Sequence, residues 1–397
     1  MNDHVLVINA GSSSLKYSLI DAGSGEAAAA GVVERIGEPE GVFRHRGPDG
    51  ETRTTRPIGS HEDALRAAID AFEEHGPSLD GIEIAAVGHR VVHGGSRFGD
   101  PALINEDLID EVSDLVPLAP LHNPANLEGM RVAGRLFPDL PQVAVFDTAF
   151  HQTLPPEAYT YAVPRGWLAE HGIRRYGFHG TSHAFVSEQA AQLLGREPAD
   201  VNVIVLHLGN GCSAAAVRGG KSVDTSMGLT PLEGLVMGTR SGDVDPAIHA
   251  YLAREAGLSL DEIDHALNFE SGLKGLAGEN DFRELSRQRE AGDEQARLAF
   301  DVYCYRIRKY VGAYYSVLGK VDAIVFTAGV GQNSAEVRSA SLEGLEGLGI
   351  EIDAERNAES SDEARAVSTK DSRVAVLVIP TNEEWQIARE ALKLVRS

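Results

Sequence analysis

"VLVINAGSSSLKY", residues Val5–Tyr17, reads as an apolar strand, a turn of four small residues and a second strand that carries one lysine. Gly11, Ser12, Ser13 and Ser14 at the mouth of a strand have two readings. One is a plain hairpin turn. The other is a cradle for phosphate oxygens, which need several backbone N–H groups converging on one point and small side chains that let the backbone come close. The pattern returns in "VNVIVLHLGNGCSAAAV", Val201–Val217, again an apolar strand, a glycine-rich turn and a second strand. A third glycine-rich segment, "FTAGVGQNS" at Phe326–Ser334, follows an apolar strand and opens a helix. None ends in the Gly-Lys-Ser/Thr of a P-loop, and the third lacks the last glycine of a dinucleotide fingerprint. Singly, each reads as a structural turn; three at strand ends point to a nucleotide. The echo between the two strand–turn–strand segments predicts two related α/β halves.

Around these turns the punctuation is clear. "GPDG", Gly47–Gly50, predicts a hairpin. "SHEDALRAAIDAFEEHG" predicts a helix with Ser60 as N-cap and Gly76 as its stop. Further helices are expected near Glu106 to Leu115, Ala125 to Leu136, Asp245 to Glu255, Leu260 to Asn268, through much of Asp281 to Val317, and after Glu383. Asn357 to Ser372 reads as a loose surface segment.

Composition narrows the function classes. The 397 residues carry a formal net charge of -23, which argues against a general nucleic-acid or anionic-membrane surface, so any anion must be held by a local site. The two cysteines, Cys212 and Cys304, form neither a disulfide framework nor a zinc pattern, and a reducing, cytoplasmic setting is the expectation. No signal peptide is expected, and the longest apolar runs, such as "VAVLVI" at Val374–Ile379, are strand-sized and too short to span a bilayer.

Arg90 follows an apolar strand in "GHRVVHGG", and Arg240 sits in a loop with Asp243 and Asp245. An arginine fork suits phosphate and carboxylate oxygens, and it equally suits a structural ion pair with a neighbouring aspartate. His179 and His183, four apart in "YGFHGTSH", lack the glutamate of a zincin motif, and the surrounding residues do not form a nucleophile elbow. His207, inside an apolar strand, reads as a satisfied core histidine. Asp147 ends an apolar strand, where α/β sheets place ligands, or it caps the next turn. Glu383 and Glu384 open the last helix, where a carboxylate favours the dipole. Residue chemistry alone reaches a nucleotide-binding α/β protein and stops short of a substrate.

Taken together in chain order, "VLVINAGSSSLKY", "GHRVVHGG", "PLHNPAN", "VFDTAFH", "YGFHGTSH", "HLGNG", "GLTPLEGLVMGTRSGD", "DFR", "FTAGVGQNS" and "IPTNEE" closely resemble the motifs of the acetate kinases (the acetokinase family), over nearly the whole chain. Gln332 stands where that family's glycine turn would carry glutamate, and Cys212 where alanine or serine is common. The resemblance implies the acetate/sugar kinase, actin and heat-shock chaperone superfamily: duplicated RNase-H-like (actin-like ATPase) domains around a central nucleotide cleft. By it, residues 1–150 form the N-terminal domain, joined by a C-terminal helix over about 383–397, and residues 151–382 form the C-terminal, nucleotide-binding domain.

The reaction implied is reversible, Mg2+-dependent, in-line transfer from ATP to acetate, giving ADP and acetyl phosphate, with Mn2+ as an alternative metal. The resemblance gives Asn9 and Glu383 the metal, largely through water. Ser12, Ser14 and Lys16 fall near the transferring phosphate. Arg90 binds the acetate carboxylate, Asp147 orients or polarises the reacting groups, and His179 and Arg240 stabilise the equatorial oxygens of the transition state. His207, Leu208, Gly209, Asn210 and Gly211, with Asp281, Phe282 and Arg283 and with Gly329, Val330, Gly331, Gln332 and Asn333, surround the nucleotide. Val92, Leu121, Phe178 and Pro231 line an apolar pocket for the methyl group. The family also implies a homodimer. Two alternatives stand beside this reading: a propionate or broader short-chain acyl kinase, and a non-catalytic nucleotide-binding module of the actin or chaperone type.

Overall fold

The computed structural model describes residues 3–397, and the chain divides into two compact units, Met1–Phe150 with Asn382–Ser397, and His151–Thr381. In the first unit the strands are β1 (His4–Ala10), β2 (Ser14–Asp21), β3 (Ala27–Glu34), β4 (Gly41–Gly47), β5 (Gly50–Arg56), β6 (Ile84–Val91), β7 (Ala102–Leu103) and β8 (Gln142–Phe146). They form one sheet in the order β5-β4-β3-β2-β1-β6-β8-β7. β1 to β5 are an antiparallel meander, β1, β6 and β8 run parallel, and β7 closes the edge antiparallel.

β1 is apolar from Val5 to Ile8 because both of its faces are covered there. Leu6 and Ile8 pack with Leu15, Tyr17 and Leu19 of β2 under the helix His61–His75. Val5 and Val7 face the other way, onto Ile387, Ala388 and Ala391 of the C-terminal helix Glu383–Val395. The first of these helices starts where Ser60 accepts from the Asp63 N–H and stops at Gly76. A third helix, Asn123–Leu136, crosses the end of β1 closely enough that a Cβ at Gly129 would lie 2.8 Å from the Ala10 methyl.

The second unit holds β9 (Asn202–Leu208), β10 (Cys212–Arg218), β11 (Lys221–Thr225), β12 (Ala323–Thr327), β13 (Arg365–Ala366) and β14 (Ala375–Val378). Their order is β11-β10-β9-β12-β14-β13, with β9 to β11 antiparallel, β9, β12 and β14 parallel, and β13 antiparallel at the edge. This is strand for strand the order β3-β2-β1-β6-β8-β7 of the first unit, to which β4 and β5 are an addition. The expectation of duplicated RNase-H-like units is therefore met at the level of topology.

Two local expectations give way. Gly329–Ser334 is not an open turn: Ala328–Asn333 is a short helix that follows β12 directly, and Ala328 takes a φ of 63° to make the corner. The segment 357–372 is not loose either, because Asn357 and Val367 are buried and β13 pairs with β14 inside it.

Candidate active site

In the first unit, the β1–β2 turn is closed by the Gly11 N–H donating to the Ser14 carbonyl at 2.7 Å, which leaves Ser12 and Ser13 exposed at its tip. Register places Asn9 directly opposite Lys16. Arg90 is in β6, which pairs with β1, and Asp147 follows β8, which pairs with β6, so the ends of three successive strands of the sheet converge. Arg90 grips Asp147 with Nε 3.1 Å from each carboxylate oxygen and Nη2 2.5 Å from Oδ2, while Nη1 reaches Asn9 Oδ1 at 3.4 Å. Of the two readings of Arg90, the structure thus contains the ion pair, with Nη1 as the least engaged nitrogen. Burial works against the Arg90 charge, but Asp147, Glu383 and Glu384 together outweigh it and hold the group above its ordinary range.

Glu383 is not the solvated helix-start carboxylate that its position suggests. It is only partly exposed, and burial raises its pKa from 4.5 to about 7; Asp147 and Glu384 push the same way, and Arg90 and Lys16 push back. Asn9, Asp147, Glu383 and Glu384 crowd acceptor oxygens around two cations. That donor set fits a divalent cation held by few direct bonds and completed by water. Among the described residues no group of three His, Cys, Asp or Glu side chains forms a dedicated cage. Val92, two residues after Arg90, is buried, with its N–H on Asn126 Oδ1 at 3.0 Å. Leu121, by contrast, is 52% exposed in the first unit.

In the second unit His179 occupies the left-handed region (φ 57°) as the N-cap of the helix Gly180–Leu193. A non-glycine residue there is strained, and such strain concentrates at functional positions. Its Nδ1 lies 2.9 Å from Ser213 Oγ in β10, and its ring stacks on His207 of β9 at 4.2 Å. His207 is buried and bonds Ser182 Oγ at 2.8 Å, so it is a satisfied core residue and also a floor for His179. Arg240 NH1 and His179 Nε2 each lie 3.6 Å from where a Cβ on Gly211 would stand, so both reach the β9–β10 turn.

Arg240 does not take the structural ion pair. Asp243 instead receives the Gly234 N–H at 2.8 Å and the Tyr310 hydroxyl at 2.8 Å, with Arg306 3.5 Å away. No hydrogen bond or ion pair engages the Arg240 guanidinium among the described residues, and burial lowers its pKa. An unpaired, largely covered cation beside a glycine-rich turn is an anion site.

A cavity of about 900 Å³ in this unit is lined by Gly209, Asn210, Asp281, Phe282, Arg283, Gly329, Val330 and Asn333. Leu208, Gly211, Gly331 and Gln332 are not on its wall; Leu208 is buried in β9, and Gly331 and Gln332 give their carbonyls to Arg338 at 2.9 and 2.8 Å. Arg338, fully buried, also holds Asn357 Oδ1 and the Asn357 carbonyl, both at 2.6 Å, and so pins the short helix from below. Asp281 caps the helix Phe282–Glu290 and pairs with Arg283, which drives its carboxyl below the usual range. Phe178 is buried and Pro231 is partly exposed in this same unit.

Sequence reasoning missed the residues that position these groups. In "PLHNPAN" it singled out Leu121, but the buried pair is Asn123 and Asn126: Asn123 holds the His93 backbone at both ends, and Asn126 donates to the Ala10 carbonyl at 2.7 Å. Asparagine twice on one helix turn beside a glycine-rich strand end was the available signal. It also missed Ser213, Ser182 and Arg338, and Gly238, where a Cβ would stand 2.1 Å from Asn210 Oδ1.

A family model described as the Acetokinase family matches residues 4–389. Acetate kinase of Streptomyces coelicolor is 60% identical over 393 residues, covering 98% of this chain and 97% of that protein. The crystal structure of Porphyromonas gingivalis acetate kinase superposes with a TM-score of 0.94 at 42% identity, covering 99% of this chain and 100% of that one. A propionate kinase from Francisella tularensis superposes with a TM-score of 0.93 at 45% identity, covering 98% and 99%.

Proposed function

The chain belongs to the acetokinase family, and on that premise we propose that it is an acetate kinase, transferring the γ-phosphoryl group of ATP reversibly and in line to acetate to give acetyl phosphate and ADP. The observation that carries the reading is Arg240: an unpaired guanidinium at the Gly211 turn, beside a strained His179, is a pair of donors awaiting phosphoryl oxygens. Such a transfer needs positioning and charge neutralisation more than covalent chemistry.

We assign the roles unit by unit. In the second unit, His151–Thr381, the nucleotide occupies the cavity walled by Asp281–Arg283 and Gly329–Asn333, its phosphates run along the Gly209–Gly211 turn, and His179 and Arg240 meet the equatorial oxygens. In the first unit, residues 1–150 with the C-terminal helix, Arg90 Nη1 takes an acetate oxygen and Val92 packs against the methyl group. Asp147 acts by fixing Arg90, because acetate is already ionised at neutral pH and needs no base. Ser12, Ser14 and Lys16 present donors at the first turn. Asn9 and Glu383 would hold Mg2+ or Mn2+ through water, and the bound ion would supply charge neutralisation at the phosphate oxygens. We further propose a cytoplasmic homodimer; no helix among the described residues is long and apolar enough to cross a membrane.

The test is direct. The protein incubated with ATP, magnesium and acetate in hydroxylamine is expected to yield acetohydroxamate, with weaker turnover on propionate and butyrate. Absence of hydroxamate with every acid would leave only a nucleotide-binding module. Propionate turnover above acetate would favour the second reading, which the similarity to a propionate kinase supports.

A further inference from the structure

The second unit gathers His151, His179, His183 and His207, and a hydrogen-bond chain from His183 through Ser213 ends on His179. Ser213 Oγ sits between two rings, 2.9 Å from His179 Nδ1 and 2.7 Å from His183 Nε2. His183 is fully buried, and its other nitrogen, Nδ1, has no hydrogen-bond partner. His151 packs edge-on against His183 at 5.5 Å. Its Nε2 faces the Phe178 carbonyl at 3.1 Å, which only accepts, so His151 carries its proton on Nε2 and takes the Ser222 hydroxyl on Nδ1 at 2.8 Å.

Ser213 has one hydrogen for two ring nitrogens, so the arrangement admits few solutions. If His183 carried its proton on Nδ1, a buried N–H would be left without an acceptor, and orphaned N–H groups of that kind are rare in folded proteins. If both rings donated to Ser213, the hydroxyl hydrogen would have no acceptor among its hydrogen-bond partners. One solution leaves no donor unsatisfied. His183 protonated on Nε2 donates to Ser213, Ser213 passes its own hydrogen to His179 Nδ1, and His179 keeps its proton on Nε2.

We propose that His183 and Ser213 are positioning residues that fix His179 as the Nε2–H tautomer, so that the nitrogen lying at the Gly211 turn is a hydrogen-bond donor. The consequence for catalysis rests on the reading of His179 as a donor to phosphoryl oxygens: the wrong tautomer would present a lone pair to an anion. Burial keeps His183 neutral, with its pKa well below the ordinary histidine value, so the chain does not break by His183 taking a second proton near neutral pH. The left-handed backbone at His179 then aims a ring whose proton is already placed.

The test uses the full-length protein labelled with 15N-histidine and free of nucleotide, with the His179 signal assigned by its loss in His179→Gln. The wild type is expected to show a protonated Nε2 and a bare Nδ1. Ser213→Ala should move His179 toward a mixture of tautomers, whereas Ser213→Thr keeps the hydroxyl and the wild-type pattern. His183→Gln, whose amide N–H stands in for Nε2–H, should also keep it, and His183→Phe should lose it. In steady-state assays Ser213→Ala is expected to lower kcat about three- to tenfold, the value of one neutral hydrogen bond, with KM for ATP and acetate little changed. A wild-type His179 protonated on Nδ1, or an unmixed tautomer in Ser213→Ala, overturns the proposal. If the tautomer follows the chain but kcat of Ser213→Ala is unmoved, the assignment stands and the donor role of His179 falls.

Discussion

Glu383 offers the sharpest quantitative test, because its environment resists the charge that its proposed role requires. Between the unfolded chain and the folded one its pKa moves from 4.5 to about 7. For an acid raised in this way, the folded state holds a proton that the unfolded state has released. Between those two values each rise in pH therefore costs stability, and the cost is complete above about 7. The interval converts to about 3 kcal/mol. Glu383 keeps part of its surface in water, so screening should leave roughly half of that, about 1.5 kcal/mol. Glutamine mimics the protonated form at every pH. In EDTA, Glu383→Gln should match the wild type near pH 4.5 and exceed it at about pH 8 by roughly 3–6 °C in Tm, at about 2–4 °C per kcal/mol. Titrating magnesium back should reverse the order, because an ion bound only by the folded wild type stabilises it by mass action. The assay is a set of thermal melts across pH, with and without metal. A Tm difference that stays flat from acid to alkaline pH would refute the reasoning, as would equal stabilisation of both proteins by magnesium.

The other predictions are briefer. Arg240→Ala should lower kcat by roughly 10²–10⁴ with little change in the Kd of an ATP analogue, as for other donors used mainly in the transition state; near-normal turnover in a folded variant would remove Arg240 from the mechanism. Val92→Ala should raise the propionate-to-acetate ratio of kcat/KM about fourfold, since one buried methylene is worth about 0.8 kcal/mol, and an unchanged ratio would take Val92 off the pocket wall. Arg338→Met leaves four carbonyl acceptors without their donor and should cost at least about 3 kcal/mol, read in denaturant melts, together with a weaker Kd for ATP; unaltered nucleotide binding would show that the Gly329–Asn333 helix holds itself.

What the chain's own letters disclosed was the frame. Apolar runs bounded by glycine gave β1, β9 and β12 their places, and "GPDG" and Ser60 gave the hairpin and helix that follow. The charged groups of the candidate site stood out as arginine, aspartate and histidine beside glycine, but each also had a structural reading, and only the resemblance chose between the two. What stayed hidden was whatever depends on the third dimension. Whether Arg240 or Arg306 would pair with Asp243 is a question of packing distance, and the answer, Arg306, is what leaves Arg240 unpaired. Ser213 sits in a run of small strand residues and acquires its role only because β10 lies beside the His179 helix start. The resemblance drew attention to Leu121 in "PLHNPAN", whereas the fold buries its neighbours Asn123 and Asn126, whose amides satisfy backbone that no apolar side chain could.

The Glu383–Val395 helix has a consequence for how the molecule is made. It supplies Ile387, Ala388 and Ala391 to the face of β1 that also carries Val5 and Val7, so the first unit cannot finish burying that face from its own first stretch of chain. The ribosome must first deliver the 231 residues from His151 to Thr381, which at about 5–20 residues per second takes roughly 10–50 s. During that interval a wide apolar surface waits uncovered, and at its end the second unit already has every residue it needs. The order of synthesis and the order of completion are therefore opposite: the unit begun first is the one finished last, and its closing step is the docking of a helix translated on the far side of a whole domain.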